Sequence, residues 1–252
     1  MSIASRPIRL LAVLLLSLVG ACAAPKIEEP APAALKPYAV DDARQPSAIA
    51  SDAVLSPIEP WRWTYERVDE REPGRSVTTW IEFVDDERAP IRRHVDPTKQ
   101  TRHLTEPKPG WVALAGVTDR NQNVVTIFAD PLPVMRTDLK PGVPSVSTSE
   151  VRVHPIGEPG TTVQKGTATM TIEHDADQVV MVPAGRFNTR RIRLIFESDM
   201  TFAKVRSVSV IHYAEGVGIV AEKTEKKIRA PFYNRDEAMA IVLTAGPDPR
   251  AP

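Results

Sequence analysis

Cys22 is the only cysteine in a chain of 252 residues. A lone thiol cannot close an internal disulfide, so its chemistry must lie outside the fold. Elsewhere, His174-Asp175-Ala176-Asp177 puts one nitrogen and two carboxylates within four residues. That could begin a metal site, but no second His or Cys stands nearby to complete it. We read it as a polar hairpin turn and expect no metal. The five histidines, at 94, 103, 154, 174 and 212, are dispersed. Gly216-Val217-Gly218 lacks the third glycine, the following helix and the acidic partner of a dinucleotide loop, so it reads as a turn or bulge and no cofactor is expected. Asp85-Asp86-Glu87 reads as a solvated charge run. Arg186, Arg190, Arg191 and Arg193 could hold a phosphate or carboxylate, or form an outward strand face paired with acids. No Gly-x-Ser-x-Gly elbow is present. The expectation is a non-enzymatic protein with no catalytic residues.

The residues around Cys22 give it a role. Arg6 and Arg9 precede the apolar run LLAVLLLSLV at 10–19. A run of this length is too short to span ~30 Å of hydrocarbon but suits a signal peptide. Val19-Gly20-Ala21-Cys22 follows at once and resembles the bacterial lipobox. The resemblance implies a signal peptide over 1–21, then cleavage before Cys22 and acylation of its thiol and new amine, palmitate being a typical chain. At about 0.8 kcal/mol per buried methylene, two or three chains anchor a protein essentially permanently. Ala23 rather than Asp follows the cysteine, which by the same resemblance implies the outer membrane, facing the periplasm.

Lys+Arg and Asp+Glu both total 32. Cleavage removes Arg6 and Arg9 and no acid, leaving 30 basic against 32 acidic residues, a net charge of −2. No basic excess remains to attract nucleic acid. Ala23 to Pro60 holds seven prolines and ten alanines, with no Gly, Trp or Phe. Residues 22–60 therefore read as the lipidated cysteine and a solvated tether, about 35 Å long as a coil and over roughly 100 Å when extended.

From Trp61 the pattern changes to short stretches of period two, separated by turn residues. In WRWTYERV, Trp61, Trp63 and Tyr65 alternate with Arg62, Thr64 and Glu66. SVTTWIEFV, GWVALAGV, VVTIFA, VRVHPI, KGTATMTIEH, TFAKVRSVSVIHY and GVGIVAEKTEKKI read as further strands. Residues 85–109 read as a surface excursion, and DPLPVM through LKPGVPS as irregular. RDEAMAIVLTA is either a last strand or a short helix, and 246–252 a frayed tail. Eight to ten strands over 61–245 make one all-β domain with a mainly antiparallel, curved sheet, half-barrel or barrel-like. Barrel and sandwich are not separated by the pattern.

Gln178 to Phe196 is the clearest hairpin. Val179 to Val182 is an apolar run, Pro183 fixes φ for a turn, and Gly185 can take a positive φ and close a G1-bulge loop. On the return, Ile192, Leu194 and Phe196 alternate with Arg191, Arg193 and Glu197, while Phe187 falls on the opposite parity. A bulge or a change of covered face is expected between Phe187 and Ile192.

VPAGRF, with Pro183, Gly185 and Phe187, followed by HYAEGVGIVAEK, with Gly216 and Gly218, resembles a motif pair of uncharacterised exported bacterial β-proteins. ADPLPVMRTDLKPG is similar to their earlier Pro-Leu and Pro-Gly stretch. The resemblance covers roughly 110–225 and implies a curved half-barrel like the lipoprotein carriers of the LolA and LolB type, which hold acyl chains. Tyr213 stands where these proteins usually have Trp. Two functions follow as expectations: an envelope interaction module that meets a protein partner, or a carrier or sensor of an apolar ligand. An aliphatic void inside the sheet would favour the second. In cells, Cys22→Ser is expected to abolish incorporation of labelled palmitate and to release the protein from the membrane fraction. Undiminished labelling of that variant would remove the anchor.

Overall fold

The computed structural model describes residues 35, 38–41, 43–96 and 98–249. The signal peptide, Cys22 and the start of the tether lie outside the described residues. Twelve strands follow one another: β1 (Trp61–Arg67), β2 (Ser76–Phe83), β3 (Ile91–Asp96), β4 (Gln100–Thr105), β5 (Trp111–Asp119), β6 (Val124–Arg136), β7 (Ser145–Pro155), β8 (Gln164–Val182), β9 (Gly185–Met200), β10 (Ala203–Ala214), β11 (Gly218–Ala230) and β12 (Tyr233–Pro249). Each pairs antiparallel with the next, and β1 returns to β12, so the sheet closes into a barrel. The fold is all-β as expected, but it is a closed barrel rather than a half-barrel, with twelve strands rather than eight to ten.

The period-two pattern builds the wall. Along β10, Val205, Ser207, Ser209, Ile211 and Tyr213 face inward, while Lys204 and Arg206 are exposed. On β9, Ile192 and Leu194 are buried inside, and Phe196 packs with them. The expected change of parity has its bulge on the partner strand: His174 pairs with Ile192 and Ala176 with Arg191, leaving Asp175 unpaired. His174 to Asp177 is thus the middle of β8 and not a hairpin turn. Its polarity serves Arg191 and Arg193, both bound by Asp175 at 2.7–3.2 Å, and Arg190, bound by Asp177 at 2.6 Å.

Three more stretches depart from the sequence reading. Residues 85–109 contain β3 and β4, whose inward positions include Arg93 and Arg102. DPLPVM belongs to β6, and its prolines lie beyond the stretch 124–128 that pairs with β7. There no ladder N–H is needed on that side. The tail is strand through Pro249, and Trp61↔Pro249 and Arg62↔Asp248 help close the barrel. Gly246 makes that seam possible, since a Cβ there would lie 2.6 Å from the Arg62 carbonyl oxygen.

The described part of the tether touches the barrel through a few buried residues, while most of it is exposed. β8 outruns β7 by ten residues, and an uncovered edge would invite pairing with another chain. The segment covers it: the Val40 amide donates to the Val179 carbonyl at 3.0 Å, and Arg44 exchanges hydrogen bonds with Asp177 at 2.8 and 3.1 Å. Leu35, Ile49, Ala53 and Leu55 join the core. Proline and alanine suited this run because it crosses the barrel end without strand geometry.

At the β8–β9 turn, Val182 pairs with Gly185 across Pro183-Ala184 without a register shift, a two-residue loop in place of the expected G1 bulge. Gly185 has φ 139°. At Gly166 a Cβ would fall 1.4 Å from the Asp199 carbonyl oxygen, whereas at Gly160 it would meet nothing within 4 Å. The expected order of destabilisation by alanine is Gly166 first, then Gly185 at roughly 1–2 kcal/mol from backbone strain, then Gly160 near zero. Urea midpoints of the three variants check it, and equal midpoints for Gly185→Ala and Gly160→Ala would remove the strained turn.

Candidate ligand cavity

Trp63 anchors one end of the barrel. It is fully buried, its Nε1–H donates to the Val217 carbonyl at 2.8 Å, and Trp61 meets its ring edge-on at 6.3 Å. The β10–β11 turn reaches Trp63 through two glycines with positive φ, Gly216 at 70° and Gly218 at 96°. The Gly216 amide donates to the Val54 carbonyl at 2.8 Å. A Cβ on Gly218 would press to 3.2 Å from Pro57 Cδ. The β8–β9 tip arrives at the same end: the Ala184 amide donates to the Leu243 carbonyl of β12 at 3.1 Å, and Phe187 packs on the core. Pro183, Gly185, Phe187, Gly216 and Gly218 are therefore gathered into an end closure, where their role is structural.

Inside this closure the barrel is not filled. A cavity of about 280 Å³ remains. Leu114, Phe128, Val134, Met170, Leu194 and Phe196, from β5, β6, β8 and β9, form an apolar wall. Opposite them stand Arg93, Arg102, Ser207, Ser209, Glu222 and Lys226, from β3, β4, β10 and β11. Gln100, Asp119 and Gln122 line it where the β5–β6 turn lies. A pocket of apolar surface with a few convergent polar groups is the usual form of a small-molecule site, though 280 Å³ is at the small end of a range starting near ~300 Å³.

The charges of the polar side are unevenly matched. Arg93 is 7% exposed, and its guanidinium lies over the Trp63 ring, 5.3 Å from the centroid. Its Nε has no hydrogen-bond acceptor. Register places Arg93 directly opposite Arg102. Glu222, itself buried, accepts from Thr224 Oγ1 at 2.8 Å. Asp119 accepts from Gln100 Nε2 at 3.1 Å and from the amides of Asn121 and Gln122. Burial pushes the Tyr213 phenol up to about 12, with Arg93 opposing and Glu222 reinforcing the shift. Burial also raises Tyr65 above its ordinary value, against Arg93, and its hydroxyl donates to the Ile219 carbonyl at 3.1 Å. Both phenols are neutral donors at physiological pH. No cysteine or histidine is among the residues that line the cavity. Among the described residues no cluster of three or more His, Cys, Asp or Glu is placed to hold a metal ion.

Sequence reasoning missed Arg93 and Arg102. The signal was there: IRRHV and QTRHL flank Asp96-Pro97-Thr98-Lys99, a turn sequence at hairpin spacing.

Behind the wall, His212 is buried, and its Nδ1 meets Thr189 Oγ1 at 3.1 Å. Thr189 gives its proton to the Gln178 carbonyl at 2.6 Å, so the imidazole Nδ1–H is the donor in that contact. Burial lowers its pKa to about 4, and Arg191 adds to the shift. A histidine depressed below its unfolded value near 6.5 stabilises the fold above that value and loses the contribution as pH falls towards 4. Stability is expected to drop by on the order of 2 kcal/mol from this residue between pH 7 and 4. In His212→Asn, the pH dependence of the urea midpoint should flatten over that window. An unchanged slope would show that His212 is not buried neutral.

No protein-family model matches the chain, and no curated protein does. Among solved structures, a "putative lipoprotein" from Parabacteroides distasonis is similar over 77% of this chain and 97% of its own, with 9% identity and a TM-score of 0.33. A likeness this distant carries no functional argument.

Proposed function

We propose that this chain is a lipid-anchored protein of the cell envelope, held through Cys22 to the outer membrane on its periplasmic face, whose barrel binds a ligand with an apolar part. The anchor rests on Val19-Gly20-Ala21-Cys22 and the run before it. The barrel itself does not serve as the anchor, because Glu197, Lys204, Arg206 and Lys227 stand exposed on the outer face of β9 to β11. A wall this charged is not a lipid-facing band.

The observation that carries the ligand reading is the unfilled, partly apolar void inside the wall. A module that only displays its outer surface gains nothing from an unfilled core, since each lost contact weakens the fold. The role is binding rather than catalysis. The guanidiniums of Arg93 and Arg102 accept no proton at physiological pH, and burial keeps Tyr65 and Tyr213 protonated. The Tyr213 phenol, which lines the cavity, can donate to a bound polar group but is a poor base.

Native mass spectrometry of the lipidated protein purified from cells tests this. The expected result is a co-purifying apolar mass at one per barrel, lost when Met170→Trp narrows the cavity. A bare protein mass in repeated preparations would favour the interaction module instead.

A further inference from the structure

The arginine pair says what kind of ligand the cavity takes. Arg93 and Arg102 face each other across the β3–β4 ladder, and both line the cavity. Like charges directly opposite on neighbouring strands repel. Among the described residues neither has an ion pair or a hydrogen bond. Other part-buried arginines of the molecule are treated differently. Arg67 is held by Asp69 at 2.8 Å, Arg191 by Asp175 at 2.8 Å, and Arg190 by Asp177 at 2.6 Å. The two acids on the cavity are otherwise engaged, Glu222 with Thr224 and Asp119 with Gln100 and the β5–β6 turn.

Arg93 is buried and stacks on Trp63, its Nε has no acceptor, and no described carboxylate lies within ion-pair distance of it. We infer that the Arg93–Arg102 pair binds the anionic head of a single-chain amphiphile, whose hydrocarbon tail lies against Leu114, Phe128, Met170 and Phe196. This rests on the reading of the cavity as a ligand site. A carboxylate or phosphate head fits the planar, two-pronged geometry of guanidinium. Tyr213 donates a further hydrogen bond from a phenol that burial keeps protonated. The volume of about 280 Å³ admits a short or medium chain and excludes a diacyl lipid held wholly inside. Lying over Trp63, Arg93 also makes the indole a reporter of its own occupancy.

The test uses the full chain carrying Cys22→Ser, so that its own acyl chains do not compete, with Trp emission as readout and decanoate, 1-decanol and inorganic phosphate as probes. Decanoate is expected to bind at least 10-fold more tightly than decanol, and phosphate alone at least 100-fold more weakly than decanoate. Arg93→Gln and Arg102→Gln should each weaken decanoate at least 10-fold while leaving decanol unchanged, and Arg93→Lys should retain part of the preference. Because each Gln variant removes one of two repelling charges, the ligand-free melting temperature should hold or rise, which distinguishes lost recognition from lost fold. Equal affinity for decanol and decanoate in the parent would overturn the anionic head and leave the apolar cavity standing. Phosphate binding as tightly as decanoate, with the same arginine dependence, would overturn the amphiphile in favour of a free-anion site. Failure of both decanoate and decanol to bind would overturn the cavity reading together with this inference.

Discussion

Ring closure between β1 and β12 is the constraint on which the rest of the structure depends. An open antiparallel sheet leaves two rows of unpaired N–H and C=O groups, and closure removes both. The seam tolerates irregularity: the ladder shifts register between Arg62 and Thr64 and again before Tyr65. Those shifts let Trp63, Tyr65 and Leu243 all turn inward to full burial. Gly246 sits where the offset brings the backbones closest. Once the wall is closed, alternation along every strand divides the chain into an inside and an outside.

Closure creates a second demand at the ends. β8 and β9 rise above their neighbours, so their outer edge would remain open. The segment before β1 covers that edge and then runs over the β10–β11 turn to reach Trp61. The same residues thus complete the sheet and shut one end of the interior. Trp63 links the two, because its indole nitrogen fixes the turn and its ring supports Arg93.

Electrostatics divide the barrel as clearly as hydrophobicity does. On the outer face Arg191 and Arg193 of β9 are matched by Glu173 and Asp175 across the ladder, and the bulge at Asp175 lets one carboxylate serve both. Within the cavity the matching stops at Arg93 and Arg102. A protein that pairs Arg67, Arg190 and Arg191 with acids has left these two facing a void beside an apolar wall. That contrast, more than the void alone, gives the cavity chemical character.

Much of this was readable in the sequence because it depends on neighbours. Alternation in WRWTYERV and in the return strand after Gly185 follows from period-two sterics. The need for glycine at 185, 216 and 218 follows from turn geometry. What failed to show did so for a shared reason: it depends on partners far away in the chain. His174 to Asp177 looked like a turn because its polar residues answer arginines on another strand. The tail looked frayed because its Gly and Pro suit a seam with β1, which lies some 180 residues earlier. β3 and β4 looked like a loop because Arg93 and Arg102 interrupt their inward positions among Ile91, Val95 and Leu104. Hydrophobic patterning finds strands with an unbroken apolar face, and here arginines interrupt that face. The sequence by itself determined an antiparallel sheet. Only the tertiary structure decided that the sheet closes, and that closure sets two unmatched charges opposite an apolar wall.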